Sequence, residues 1–318
     1  MSGPAPRLRE PLRRRLRARL IRGLTAASRV VPEPLLGGAL SCASGLMGFS
    51  RYERLVLDNL ELALGDDTTP DERRRIAAGV RRHCARLLAE WIQLSKGDVG
   101  DARAWLERRV RFDPSVAILD RLAAEGRGLL IASAHIGNWE VLAAALRVRG
   151  LGGYVVGLQR RRDSSSQWLV DMRRAYGVES LPQDVSPRVL LETLRAGRTI
   201  GLVCDLEVRR LAGEFVPFFG RPALTMTAPA ALARAARLPV VPVRCIARGA
   251  GYELGVGEPL HLDPALDRRA AATELLTRLN GVFEGWIRET PEQWAWHQPR
   301  WRTRPGELEH TGRPLAAR

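Results

Sequence analysis

His135 and Glu140 stand five positions apart in the run His135-Ile136-Gly137-Asn138-Trp139-Glu140. A neutral imidazole takes a proton from a hydroxyl when a second group holds its other ring nitrogen. If the loop turns back, Glu140 is the expected holder. A zinc site is the rival use of the pair. The spacing lacks the i, i+4 helical geometry of zinc proteases and no second histidine is close, so no metal is expected.

The flanking residues say where this pair must sit. Gly128 to Ala134 is continuously apolar or small, the pattern of a strand buried on both faces. Val141 to Val148 reads as a helix, with Asn138 placed to cap its start and expected also as a substrate contact. A histidine leaving the end of a buried strand lies where open α/β sheets place their chemistry.

Strands and helices alternate after Gly128. Expected strands are 128–134, 153–158, 199–205, 240–247 and 252–256; expected helices are 141–148, 167–176, 187–196, 227–236 and 268–288. That order implies an α/β fold, a mostly parallel or mixed central sheet flanked by helices. A capping box, Thr69-Pro70-Asp71-Glu72, opens an earlier helix on whose apolar stripe His83 borders as a packing residue. Ser164-Ser165-Ser166 reads as a polar turn, and no G-x-S-x-G elbow is present.

The first fifty residues differ in kind. Leu12, Leu16, Leu20 and Leu24 recur every four positions among arginines, the pattern of a basic helix lying on an anionic membrane surface. Residues 35–49 carry no charge, yet fall short of the roughly 20 residues that span a bilayer. The expected organisation is a membrane-associating segment over 1–50, one catalytic domain over 51–305 and a mobile tail over 306–318. No clean small-residue cleavage site follows the apolar run over 35–49, so the protein is expected to stay on the cytoplasmic side.

The 318 residues, 45% of them hydrophobic, allow a sizeable core. The net charge of +15 points to an anionic partner. Lys96 is the only lysine; arginine carries the rest and suits bidentate contact with phosphate. No zinc-ligand spacing, RNA-recognition aromatic motif or basic zipper speaks for nucleic acid. The four scattered cysteines read as small hydrophobes rather than a disulfide framework. Arg160-Arg161-Arg162 after the second strand, and Arg173-Arg174 on the next helix, are candidates to clamp phosphates.

Phe215-Val216-Pro217-Phe218-Phe219-Gly220 follows the H-x4-E motif in order. With it, the chain from about Tyr52 to Pro305 resembles the lysophospholipid acyltransferase superfamily, and within it the bacterial lipid A late acyltransferases. The resemblance implies transfer of a fatty acyl group from acyl carrier protein or coenzyme A to a hydroxyl of a phosphorylated glycolipid, at the cytoplasmic face of the inner membrane, without a cofactor. It implies a lipid A precursor as acceptor, with a phosphatidylinositol mannoside or another polar glycolipid as the alternative. A non-catalytic lipid-binding module is a further alternative, against which the intact His135–Glu140 pair argues. The family's functional aspartate matches Asp205, and its functional arginine falls at Arg173 or Arg174. Phe215, Pro217, Phe219 and Gly220 are expected as an apolar wall for the acyl chain. The ending departs from the family: Gln298-Pro299-Arg300 replaces a His-Arg-Arg run, which puts a phosphate contact there in doubt.

Acyl transfer from a thioester needs a base, a group to hold it, and donors for the oxyanion. His135 and Glu140 are expected as the first two. Backbone N–H groups at the start of the helix after His135 are expected to help with the third.

Overall fold

A computed structural model describes residues 12–28, 30–31, 33–45, 51–157, 163–209 and 211–307. Arg160 to Arg162 and the tail beyond Glu307 lie outside the described residues. Five helices come first: α1 (Leu12–Ala27), α2 (Glu33–Gly45), α3 (Arg51–Leu64), α4 (Pro70–Leu94) and α5 (Val99–Arg109). The sheet region follows as β1 (Val110–Phe112), α6 (Ala117–Ala124), β2 (Leu129–Ser133), α7 (Trp139–Val148), β3 (Gly153–Gly157), α8 (Ser164–Ala175), β4 (Glu179–Pro182), α9 (Pro187–Arg195) and β5 (Thr199–Val203). A hairpin of β6 (Gly213–Phe218) and β7 (Arg221–Met226) precedes α10 (Ala228–Ala236), β8 (Val240–Arg248), β9 (Gly251–Val256) and α11 (Arg268–Glu289).

The seven-stranded sheet has the order β1-β9-β8-β2-β5-β3-β4. The strands β8, β2, β5, β3 and β4 are parallel, and β9 turns back antiparallel on β8. β2 sits at the centre and all five of its residues are buried, as its unbroken apolar run requires. Its side chains alternate between two cores. Leu130 and Ala132 join one, Leu129 and Ile131 the other. Each such fully buried Leu or Ile contributes about 1.5–3 kcal/mol of transfer free energy.

Local signals in the sequence are realised. Thr69 and Glu72 form the reciprocal capping box of α4, with Pro70 in its first turn. Asn138 caps α7 through Val141 N–H at 3.1 Å. Two expectations change. Ser164–Ser166 is the first turn of α8, because Asp163 caps it by accepting from Ser165 and Ser166 N–H. The residues 213–226 form a separate antiparallel hairpin, closed by Phe219 and Gly220 at φ 51° and 69°. Two successive positive φ values make the two-residue turn that matches strand twist.

Among the described residues no helix is long and apolar enough to cross a membrane. In α1 and α2, Leu20 and Leu35 are 63% and 65% exposed.

Candidate active site

Parallel register brings the site together. Ser133 of β2 lies opposite Val203 of β5, and two residues further each chain carries its functional group, His135 and Asp205. His135 Nδ1–H donates to Asp205 Oδ1 at 2.7 Å, and His135 backbone N–H donates to Oδ2 at 2.9 Å. The Trp294 indole N–H donates to the same Oδ2 at 2.6 Å. Burial alone would push the Asp205 carboxyl up. The His135 ring, the Trp294 indole and the His135 amide outweigh it and hold the group below the ordinary carboxylate range. The carboxylate is fully buried while the His135 side chain is 27% exposed, so the dyad meets solvent through the imidazole. Trp139 packs its edge against that ring at 4.9 Å.

The loop after His135 is clamped from three sides. Gly137 has φ 59°, and a Cβ there would lie 2.0 Å from the Cys245 carbonyl, so only glycine fits. Gly137 N–H donates to Gln293 O at 3.0 Å and Asn138 N–H to Cys245 O at 2.8 Å. Ala295 N–H returns to His135 O at 3.0 Å. His83 bonds through Nε2 to Gly137 O at 3.0 Å, and burial pushes its pKa down to about 4. The ring is therefore neutral at pH 7 with Nε2–H as donor: His83 fixes the loop after His135 instead of merely filling space.

Asn138 was expected to touch substrate, and its valences are already spent. Its Oδ1 accepts from Val141 N–H and from the Trp91 indole at 3.0 Å. Its Nδ2 donates to Glu90 at 2.9 Å and to the Tyr252 hydroxyl at 3.3 Å. A side-chain amide makes about four such bonds, and all four are internal. Asn138 is a buried cap, not a ligand group.

Glu140 points away from His135. It is 1% exposed, and its oxygens take a bidentate ion pair from Arg173, Nη2 at 2.5 Å and Nε at 2.8 Å, plus the Tyr176 hydroxyl at 2.7 Å. The second position of α7 faces α8, whereas Trp139 before it faces the histidine. Asp205, not Glu140, is therefore the carboxylate on the ring. Burial would lower the Arg173 pKa, and Glu140 outweighs it and raises it. Of the two candidate arginines, Arg173 is buried against Glu140 of α7; Arg174 is exposed and pairs with Asp171 at 3.2 Å.

The aromatic segment behaves as core. Phe218 and Phe219 are buried, packed on Trp294, Trp301 and Trp296, and Pro217 and Gly220 are exposed in the hairpin. No residue from Phe215 to Gly220 lines the apolar cavity along α7. Arg300 is fully buried behind it, donating to Leu224 O and Thr225 Oγ1, both at 2.7 Å, and burial lowers its pKa to about 10. It cannot reach a phosphate. Trp294 and Trp296 are likewise fully buried, so they are core, not an interfacial anchor.

Sequence reasoning missed the apolar cavity beside the dyad. It runs between α7 and the strands β2, β5 and β3, from Ser133, Trp139 and Val203 near His135 to Leu146 and Thr199 at the far end. Gly201 lies on its wall, where a Cβ would meet only Tyr154 O at 3.7 Å and Val155 Cγ2 at 4.0 Å. Among the described residues no group of three or more His, Cys, Asp or Glu side chains is arranged to hold a metal.

The chain is similar to phosphatidylinositol mannoside acyltransferases, 31% identical over 189 residues to that of Mycobacterium tuberculosis and 30% over 182 residues to that of Mycolicibacterium smegmatis. These matches span 58% and 55% of this chain, and 57% of each relative's length. It is also similar to the lipid A biosynthesis lauroyltransferase of Escherichia coli, 26% identical over 277 residues, covering 84% of this chain and 85% of that protein. The model of the bacterial lipid A biosynthesis acyltransferases matches residues 10–303, and by that match, which takes in both the dyad and the clamped loop, the chain belongs to this family.

Proposed function

We propose that the protein transfers a fatty acyl group from a thioester to a hydroxyl of a glycolipid, with His135 as general base held by Asp205. The observation that carries this reading is the 2.7 Å bond from the His135 ring to a buried, ionised carboxylate, which leaves Nε2 as the open basic atom. In the reaction Nε2 takes the acceptor hydroxyl proton as its oxygen attacks the thioester carbonyl. The tetrahedral intermediate collapses with cleavage of the C–S bond, and the imidazolium returns the proton to the thiolate. Asp205 stabilises the transient imidazolium.

The oxyanion is assigned to the N-terminus of α7. Gly137 and Asn138 N–H are bonded to carbonyls and Val141 N–H to the cap, which leaves the Trp139 and Glu140 N–H groups for the developing charge. The Glu140–Arg173–Tyr176 cluster keeps that helix start rigid. The acyl chain is assigned to the apolar cavity along α7, which is walled by aliphatic side chains; its volume is about 50 Å3, so its walls must part to admit a fatty chain.

For the acceptor we propose a lipid A precursor, supported by the family match and by the length shared with the lauroyltransferase. A phosphatidylinositol mannoside is the second reading, favoured by the higher identity to the mycobacterial enzymes. Acyl carrier protein or acyl-coenzyme A is proposed as donor. We place the protein on the cytoplasmic face of the inner membrane, supported by the exposed leucines of α1 and α2 and the +15 charge. Purified protein incubated with both donor types and both acceptor classes tests this. Product on one acceptor, abolished by His135→Ala, is expected; no transfer to either acceptor from either donor sinks the reading.

A further inference from the structure

A second cavity lies under α2, away from the apolar cleft along α7. Its volume is about 400 Å3, it opens to solvent, and it is lined by Gly37, Gly38 and Ser41 of α2, by α4, by the end of α5 and by Ala250. Three arginines line it, Arg82, Arg86 and Arg109, against one acid, Glu90.

That acid is already committed. Glu90 is 2% exposed; its Oε1 takes Arg86 Nε at 2.8 Å with Arg109 at 3.8 Å, and its Oε2 takes Asn138 Nδ2 and the Tyr252 hydroxyl. Arg86 is pinned further by the carbonyls of Gly249 and Gly251 at 2.9 and 3.2 Å. Arg82 is exposed and makes no ion pair among the described residues. The lining thus carries more positive than negative charge.

We propose that this cavity binds a phosphate ester, the headgroup of an anionic lipid being the source the surroundings favour. Arginine forks suit phosphate, and α2 has no charged side chain from Leu35 to Gly45. Val30 and Leu35, at 84% and 65% exposure, offer apolar surface on the same N-terminal segment. A headgroup in the cavity with its tails along α2 satisfies both. Glu90 joins the arginines of this cavity to Asn138, the cap of the helix that follows His135, so occupancy reaches the catalytic loop through one buried carboxylate. This last step rests on the proposed acyltransferase activity; the binding step does not.

Two full-length variants test the site by different means. Arg82→Gln removes a guanidinium that makes no ion pair among the described residues. Gly37→Leu puts a bulky side chain into the cavity and keeps every charge, and a Cβ at Gly37 meets only Ala89 Cβ at 3.9 Å. Binding is measured calorimetrically with glycerol phosphate as headgroup probe and phosphopantetheine as thioester-donor probe. Transfer rates are compared on phosphatidylglycerol and phosphatidylcholine vesicles. We expect each variant to weaken glycerol phosphate by about tenfold or more, Arg82→Gln through the loss of one charge-assisted contact and Gly37→Leu through occlusion, and to bring the ratio of the two rates towards one. Weakened phosphopantetheine with unchanged glycerol phosphate keeps the phosphate-ester site and reassigns its source to the donor. If both variants bind both probes as the parent does, the site is wrong. Lost binding with an unchanged rate ratio overturns the link through Glu90. A protein that transfers no acyl group at all refutes the activity and leaves the binding result standing.

Discussion

Asp205 accepts two hydrogen bonds from a single residue, the ring and the backbone amide of His135, and so fixes both the orientation and the tautomer of the imidazole. Asp205→Asn keeps the shape but loses the charge that stabilises imidazolium. We expect kcat to fall about 100- to 10,000-fold with little change in KM. A kcat within a few-fold of the parent would remove Asp205 from the mechanism.

Glu140 and Arg173 form a buried ion pair, so breaking it leaves a stranded charge. Arg173→Met should destabilise the fold by about 3–5 kcal/mol, while the double change Glu140→Leu with Arg173→Met recovers most of the loss. Denaturant unfolding of the three proteins measures this. If the single change is tolerated, the pair does not hold α7 against α8.

Gly201→Leu should act on chain length. The added side chain enters the apolar cavity at the middle of β5, opposite Ile131. Transfer from long-chain donors should drop more than transfer from short-chain donors, in a competition assay with mixed chain lengths. An unchanged product distribution places the acyl chain elsewhere.

Stability should fall with acid in two windows. His83 has its folded pKa lowered from 6.5 to about 4, so the unfolded chain binds the proton more tightly. The fold therefore loses stability as pH drops through 6.5 towards 4, by on the order of 3 kcal/mol. Asp205 is shifted below its usual 3.8, so its contribution is present above that value and is lost below it. Burial lowers His297 to about 4 as well and it shares the upper window, so His83→Gln should flatten that window in part and Asp205→Asn the lower one, as read by unfolding free energy against pH. Parallel curves for parent and variants would contradict both assignments.

Removing residues 1–29 should weaken association with anionic vesicles, and added salt should reproduce part of that loss in the full chain. Each arginine near an anionic surface contributes about 1 kcal/mol, and screening reduces it. Cosedimentation decides: equal binding by both proteins to anionic and neutral vesicles means α1 packs on the protein itself.

The sequence by itself determined the central strands and many helices and singled out His135 as the proposed base, while β1, β4 and the β6–β7 hairpin were not legible in it. An unbroken apolar run made β2 a central strand, reciprocal capping residues began α4, and Gly137 permitted the turn that only glycine allows. His135 was legible because it follows β2 directly, and the family resemblance singled out Asp205 without giving its partner. Tertiary structure decided which carboxylate meets the ring. Glu140 is near His135 in sequence, but the first turn of a helix sends successive side chains to different sides, and Glu140 falls towards α8. Asp205 lies 70 residues along the chain, and only the in-register pairing of β2 with β5 sets it beside His135. The same reason hid the cavities and the fate of Asn138: they depend on which surfaces pack together, and no local pattern carries that information.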